Sequence, residues 1–229
     1  MAAKPARIEV LLKVPDSRAS IKKRQFEGLS LEGRVKEVVV MDCYVIDAKL
    51  TPTQLEDAAA TLINPLIEKF QINSAKAPMR FTHAIEVGYL PGVTDNVGAT
   101  AKEGIEDKLK KKFKDREAVY SSQVFFVSCL PAGKLASLLT DAQKIAESLH
   151  NPLIQRASIY TYPEYLKSLR AGSVVPRVSL KPGQTTQVNL WVSEEELTII
   201  GKQGVANPDG LRRGPLALDL DSLKVIRTY

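Results

Sequence analysis

An internal repeat constrains the fold of this 229-residue chain more than any other feature of its sequence. The segment Asn-Pro-Leu-Ile-Glu-Lys at Asn64–Lys69 recurs as Asn-Pro-Leu-Ile-Gln-Arg at Asn151–Arg156. The tripeptide Ile-Glu-Val at Ile8–Val10 recurs at Ile85–Val87. The matches keep the same order and lie 87 and 77 residues apart, which places insertions inside the second copy. The repeat therefore predicts two copies of one structural unit that bury apolar surface against each other.

The second copy has the clearer periodicity. Residues 82–89 alternate apolar and polar positions like a strand, and Thr94 or Asp95 is the predicted N-cap of the next helix. Residues 117–130 are rich in Val, Tyr and Phe and predict one long strand or a pair of strands. A second helix over 135–149 ends before Asn151-Pro152, and Ser158–Tyr162 is a candidate last strand.

The first copy has a similar but shorter pattern. A strand is predicted at the start, a short helix or irregular turn over Ser17–Gly33, and a long β stretch over Val35–Ala48. Thr51-Pro52 opens a second helix with proline in its first turn, and Gln71–Pro78 is interpreted as a polar linker.

These patterns predict an α+β protein made of two tandem β-α-β-β-α modules. Because exposed sheet edges favour pairing, the modules are expected to join edge to edge in one antiparallel sheet, as an intramolecular version of a twofold dimer. The predicted domain ranges are 1–78 for a divergent first module, 79–162 for the second module and 163–229 for a C-terminal linker segment.

The C-terminal segment begins as a predicted surface linker over Pro163–Gln187, which is rich in Gly, Pro, Ser and Arg. A short strand is predicted at Gln187–Val192. Ser193 and Glu196 then form an S-x-x-E capping box for a helix.

Asp219 or Asp221 is predicted to cap a final helix, with Leu223, Ile226 and Tyr229 on one side. No glycine or polar stop follows this helix. We therefore expect that the polypeptide continues or that a partner covers its apolar side.

The composition limits the classes of function. Apolar residues at 44% and charged residues at 25% are typical of a folded protein. No apolar run approaches the ~20 residues that span a bilayer, and residues 1–7 lack the apolar core of a signal peptide. Cys43 and Cys129 are predicted to be buried free thiols. We therefore expect a cytoplasmic protein without membrane segments.

The net charge of +6 is concentrated in Lys102–Arg116, which holds seven Lys or Arg residues against four Asp or Glu. This segment is interpreted as a solvated helix face, with a phosphate-binding patch as the alternative. His83 and His150 stand alone, and the chain has no glycine-rich phosphate motif. The sequence thus predicts no catalytic, cofactor-binding or metal-binding residue, and no activity for this chain by itself.

The segment Ile85–Gly98, which reads Ile-Glu-Val-Gly-Tyr-Leu-Pro-Gly-Val-Thr-Asp-Asn-Val-Gly, resembles the opening of the PurS module of phosphoribosylformylglycinamidine synthase. Val119–Gln123 and Asn151–Arg156 resemble the same module in long-chain forms of that enzyme. Gly214–Leu223 resembles the segment that precedes the catalytic domain. The chain thus resembles the N-terminal region of this synthase family, with two PurS-like modules.

The resemblance implies a role in purine biosynthesis. The complete ligase uses ATP, Mg²⁺ and glutamine-derived ammonia to convert formylglycinamide ribonucleotide (FGAR) to its amidine (FGAM). It implies that this region is structural, holds no cofactor of its own, and packs against the catalytic (PurL-type) and glutaminase (PurQ-type) portions. The interface candidates are Pro91, Gly92, Asp95, Arg212, Arg213, Leu223 and Ile226.

Two other functions stay open at the level of sequence. The first is a ferredoxin-like module that binds nucleic acid or a ligand, which the basic segment Lys102–Arg116 favours. The second is an unrelated assembly domain. Self-association is compatible with each of these functions. The one aromatic residue of the basic segment, Phe113, belongs to the apolar stripe of the predicted helix, and nothing in the segment resembles the aromatic signature of an RNA-recognition motif.

Overall fold

The computed structural model describes residues 5–74, 76–130, 136–171, 175–178, 187–206 and 212–229. The chain divides into two compact units, Met1–Val178 and Ser179–Tyr229. In the described residues of the first unit, six strands form one sheet. They are β1 (Ala6–Leu12), β2 (Val35–Asp47), β3 (Glu68–Ile72), β4 (His83–Tyr89), β5 (Ala118–Cys129) and β6 (Gln155–Tyr160). The helices of this unit are α1 (Ser17–Glu27), α2 (Pro52–Thr61), α3 (Asn96–Leu109), α4 (Ala136–Leu149) and α5 (Tyr162–Ala171).

The sheet is antiparallel throughout, with the strand order β3-β1-β2-β5-β4-β6. The first copy of the repeat contributes β3-β1-β2 and the second contributes β5-β4-β6, so the strand order of one copy is the reverse of the other. The two long strands β2 and β5 pair at the centre, and this pairing is called the seam below. The predicted α+β class and antiparallel sheet are confirmed.

The candidate last strand of the second copy is confirmed as β6, whereas the sequence predicts no last strand for the first copy. Each copy is β-α-β-α-β, because each long β stretch is a single strand and a further strand follows the second helix. In the first copy that last strand is β3, and the predicted linker Gln71–Pro78 begins inside it. Strand β3 lies at the sheet edge and is half-exposed, so it lacks the strong apolar signal of a buried strand.

The pairing register relates the two copies residue by residue. The repeat makes Glu9 equivalent to Glu86. Glu9 pairs with Cys43, and Glu86 pairs with Val124. Cys43 and Val124 are therefore equivalent positions on β2 and β5.

One step along these strands, Asp42 is equivalent to Gln123, and the two residues lie directly opposite each other across the seam. The Gln123 Nε2 group donates a hydrogen bond of 2.7 Å to Asp42 Oδ1. A residue that pairs with its own equivalent marks a local twofold axis. The pseudo-twofold axis of the sheet therefore passes between Asp42 and Gln123.

Four helices cover one face of the sheet, and helices of different copies pack together. Near one end, Phe26 of α1 and Ile145 of α4 share a cluster with Phe125 of β5. Near the other end, Ala58 of α2 and Ile105 of α3 share a second cluster. The copies are thus held together by both sheet pairing and helix packing.

Helix α5 lies on the opposite face, where the sequence predicted a surface linker from Pro163. The Thr161 N–H and hydroxyl both donate to Glu164, which fixes the first turn, and proline is tolerated there. Tyr165 is fully buried, with its ring 5.7 Å from Phe81 and 5.2 Å from Phe126. The apolar stripe of α5 is short, and Gly- and Pro-rich residues follow it. The composition of this segment therefore indicated a linker and not a helix.

The second unit contains α6 (Glu194–Gln203), β7 (Val205–Ala206), β8 (Arg212–Arg213) and α7 (Leu220–Thr228) in its described residues. Ser193 caps α6 and Asp219 caps α7, as the sequence predicted. The predicted strand at Gln187–Val192 is wrong, because these residues are irregular. Among its described residues, the buried apolar side chains are Leu197, Ile200 and Leu223.

The cysteines and the helices can each be compared with the sequence predictions. Cys43 and Cys129 are both buried and unbonded, as expected. Across the described helices, none combines the length and apolar character that a bilayer-spanning segment requires.

If α5 belongs to the core, Tyr165→Ala should lower the free energy of unfolding by about 3–5 kcal/mol, because it leaves a cavity among aromatic rings. Tyr165→Phe keeps the ring and should cost about 1 kcal/mol or less. Lys167→Ala, at an exposed position of the same helix, is the matched control. Urea denaturation followed by far-UV circular dichroism measures all three. Equal effects of Tyr165→Ala and Lys167→Ala would remove α5 from the core.

Candidate functional site

A buried ionic network crosses the seam on the sheet face that α5 covers. The Arg7 guanidinium donates to Glu9 at 2.9 Å and to Glu86 at 2.9 Å. These two glutamates are equivalent in the repeat, whereas the equivalent of Arg7 in the second copy is Ala84. One arginine thus serves a carboxylate from each copy. Burial by itself would lower the pKa of Arg7, but the acidic groups around it raise that pKa above its usual value.

Further hydrogen bonds complete the network. Gln71 Nε2 donates to Glu9 at 2.6 Å, and the Ser122 hydroxyl donates to Glu86 at 2.8 Å. Arg7 Nη2 also donates to Cys43 Sγ at 3.1 Å. Burial raises the pKa of the Cys43 thiol well above its usual value, against the opposing effect of Arg7. The sulfur is therefore a protonated thiol at neutral pH and acts here as a weak acceptor.

A cleft of about 1080 Å³ opens beside this network, within the first unit. Most of its wall residues come from β4, β5, β6, the β4–α3 turn, the start of α3, the end of α5 and residues 176–178, and the first copy adds residues of β1, β2 and the segment 73–74. Gly88 of β4 lies opposite both Ser122 and Arg156 in the sheet. A Cβ atom on Gly88 would stand 3.4 Å from Ser122 Cβ and 3.9 Å from Arg156 Nη2. The missing side chain at position 88 therefore leaves space above the strand.

The turn between β4 and α3 forms one rim of the cleft and holds three of the predicted interface residues: Pro91, Gly92 and Asp95. Pro91 is exposed. Gly92 has φ of +85°, a conformation that favours glycine. A Cβ atom there would also lie 3.2 Å from Val178 Cγ2.

Asp95 fixes this turn to the sheet. Its carboxylate accepts the Gly98 N–H at 2.7 Å as the N-cap of α3. It also accepts the Ser121 N–H at 2.5 Å and the Ser121 hydroxyl at 2.8 Å. Any side chain at position 98 would collide with the Val119 carbonyl. Asp95 and Gly98 together let the start of α3 lie directly against β5.

Positive charge dominates the cleft. Two carboxylates line it, Glu86 and Asp95, and both already accept several hydrogen bonds. The cationic side chains in its lining are Arg7, Lys102, Arg116, Arg156, Arg170 and Arg177.

Three of these cations have acidic partners. Arg7 binds Glu9 and Glu86, Arg177 binds Asp47, and Lys102 lies 3.9 Å from Glu106. Within the described part of the chain, the side chains of Arg116, Arg156 and Arg170 form no ion pair or hydrogen bond. Arg156 is half-buried. The cleft therefore carries uncompensated positive charge, and Arg156 is its least exposed unpaired member.

The basic segment Lys102–Arg116 is partly tied to the fold. Lys111 Nζ donates to the Lys49 carbonyl at 3.0 Å, and Lys112 Nζ lies 2.9 Å from Glu106. The pKa of Glu106 lies below its usual value because the Phe113 N–H and Lys112 both bond its carboxylate. These contacts engage Lys111 and Lys112 within the fold, so fewer lysines of the segment are available to bind phosphate.

The other predicted interface residues belong to the second unit. Arg212 Nη1 donates to the Gly204 carbonyl at 2.8 Å. Leu223 is 1% exposed and lies in the core of that unit, whereas Ile226 is 49% exposed. The side chain of Arg213 lies outside the described residues.

The sequence predicted residues at the rim of the cleft as interface candidates, but it did not predict the arginines that give the cleft its positive charge. Arg156 ends the repeated motif at Asn151–Arg156, and Gly88 lies inside the PurS-like segment, yet neither stood out by its type. No group of three His, Cys, Asp or Glu side chains in the described ranges is arranged to hold a metal ion. No protein-family model matches this chain, and no curated protein has a matching sequence.

The Arg7 network generates a stability prediction. Arg7→Met should lower the free energy of unfolding by about 3–5 kcal/mol, because Glu9 stays buried without its counter-charge. Arg7→Met combined with Glu9→Gln should recover much of this loss.

The control is Arg18→Met, since Arg18 forms partly exposed ion pairs with Asp16 and Asp42. That change should cost about 1 kcal/mol or less. Urea titration of these three variants and the unmodified chain provides the comparison. An equal loss for Arg7→Met and Arg18→Met would show that the buried network does not hold the copies together.

Proposed function

We propose that this chain is a non-catalytic assembly region of a phosphoribosylformylglycinamidine synthase, built from two PurS-like modules. In this role it packs against the PurL-type catalytic and PurQ-type glutaminase portions and helps to form the complete ligase of purine biosynthesis. ATP and Mg²⁺ act in the complete enzyme.

The observation that carries the proposal is the duplicated sheet. Two copies of one β-α-β-α-β unit meet through β2 and β5 about a pseudo-twofold axis. Single modules with this topology can form the same sheet between two chains. The arrangement supports an interpretation of the chain as a fused pair of assembly modules.

The second unit supports a contact with a further domain. It exposes several apolar side chains beyond its small core: Trp191, Leu216, Leu218, Val225, Ile226 and Tyr229. Clusters of exposed apolar residues commonly mark interfaces. In the proposed role, the catalytic portion covers this surface.

A second candidate is the ligand-binding module that the sequence left open. The unpaired arginines of the cleft favour this function. The hydrogen bond of Lys111 and the ion pair of Lys112 within the fold disfavour a module that binds nucleic acid.

A reconstitution assay tests the proposed assembly. The catalytic and glutaminase portions of a synthase of this family, produced without their own N-terminal region, should gain glutamine-dependent FGAM formation when this chain is added. Ile226→Asp should weaken this gain about tenfold, because it places a charge in an apolar contact. The matched control is Ile21→Asp, at an isoleucine of α1 that is 63% exposed. Absence of any gain with the unmodified chain would refute the proposal.

Hydrogen exchange gives an independent measure of the same contact. Amides of α7 should exchange much faster than amides of α4 in the isolated chain, since α7 belongs to a unit with a small core. They should slow when the catalytic portion binds. Protection of α7 that is unchanged by the catalytic portion would contradict a contact at this helix.

A further inference from the structure

We propose that the cleft beside β4 and β6 binds a small phosphorylated molecule, with Arg156 as the main contact for its phosphate group. This ligand site goes beyond the assembly role and does not depend on it. Its basis is the charge, shape and asymmetry of the cleft.

The charge of the cleft calls for an anionic ligand. Arg156 is half-buried without an acidic partner among the described residues, and the exposed side chains of Arg116 and Arg170 add further unpaired charge. A partly desolvated cation gains most from a ligand that replaces its lost hydration. The planar guanidinium group matches a phosphate with two parallel hydrogen bonds. A phosphate monoester, which carries close to two negative charges, suits a cleft lined by three unpaired arginines better than a single carboxylate does.

The shape of the cleft indicates a small molecule. Its volume of about 1080 Å³ lies just above the usual range of about 300–1,000 Å³ for small-ligand pockets. Tyr120 and Tyr160 line it and supply apolar ring surface with hydroxyl groups. The phosphate therefore has room for an attached sugar or ring.

The first copy lacks this arrangement. Leu11 takes the position of Gly88, and Lys69, opposite Leu11, takes the position of Arg156. Leu11 is a buried side chain that fills space above its strand.

The arginine beside the corresponding helix start of the first copy is already paired. Asp16 caps α1 as Asp95 caps α3, but Arg18 pairs there with both Asp16 and Asp42. A cavity that Asp16 lines has a volume of only about 340 Å³. The open part of the cleft thus lies around Gly88 and Arg156 of the second copy, at positions that Leu11 and Lys69 hold in the first copy.

Calorimetric titration of the full chain tests the proposal with matched probes. The phosphorylated probes are glycerol 3-phosphate and adenosine 5′-monophosphate, and the controls are glycerol and adenosine. At least one phosphorylated probe should bind with a Kd of about 1 mM or tighter, whereas its unphosphorylated control should not bind. Added salt should weaken the binding.

Two variants locate the site. Arg156→Gln should weaken binding at least about tenfold, since it removes a charged hydrogen-bond donor. Lys69→Gln, at the equivalent position of the first copy, should leave binding unchanged. Gly88→Leu copies Leu11 and should weaken binding at least about tenfold, because its side chain would occupy the space beside the Arg156 guanidinium. A Cβ atom at position 88 would meet its neighbours at ordinary contact distances. The unfolding midpoint of the Gly88→Leu variant should therefore stay close to that of the unmodified chain.

The proposal is overturned if neither phosphorylated probe binds, or if Arg156→Gln and Gly88→Leu bind as the unmodified chain does. It is also overturned if Lys69→Gln loses as much affinity as Arg156→Gln, because the binding would then be general surface electrostatics. Tighter binding of an RNA oligonucleotide without a terminal phosphate, insensitive to Gly88→Leu, would assign the charge to nucleic acid instead.

Discussion

The pairing of β2 with β5 is the interaction on which the rest of the first unit depends. It runs along nearly the whole of both strands, from Val35 opposite Cys129 to Asp47 opposite Ala118. Without it, each copy would be a three-stranded sheet with an exposed central edge and a core near the lower limit of independent stability. The same pairing places helices of different copies against each other and brings Arg7 within reach of Glu86.

Fusion of the two copies allows equivalent positions to hold different residues, which two identical chains cannot do. Arg7 has no counterpart at Ala84, so one guanidinium shares its charge between two glutamates and no second buried cation needs a partner. Leu11 closes the first copy, whereas Gly88 opens the second. The pseudo-twofold sheet thus supplies stability, and departures from its symmetry create the site.

The two proposed roles use different parts of the molecule. The assembly role rests on the duplicated sheet and on the exposed apolar residues of the second unit. The ligand role rests on a cleft formed within the first unit, beside a network that is already fully paired. Because Arg7 and Asp95 are occupied by internal hydrogen bonds, they hold the cleft in shape, and the unpaired arginines are left to meet a ligand.

The sequence by itself determined the duplication, the α+β class, the antiparallel sheet and the helix starts at Thr51, Asp95 and Ser193. Repeats, alternation and caps are local signals that survive without tertiary context. The tertiary structure decided the edge strand β3, helix α5, the Arg7 network and the cleft. Arg7 and Glu86 are 79 residues apart, and Tyr165 meets Glu9 across 156 residues. Burial and charge pairing at such separations depend on which strands become neighbours, and no local pattern encodes that choice.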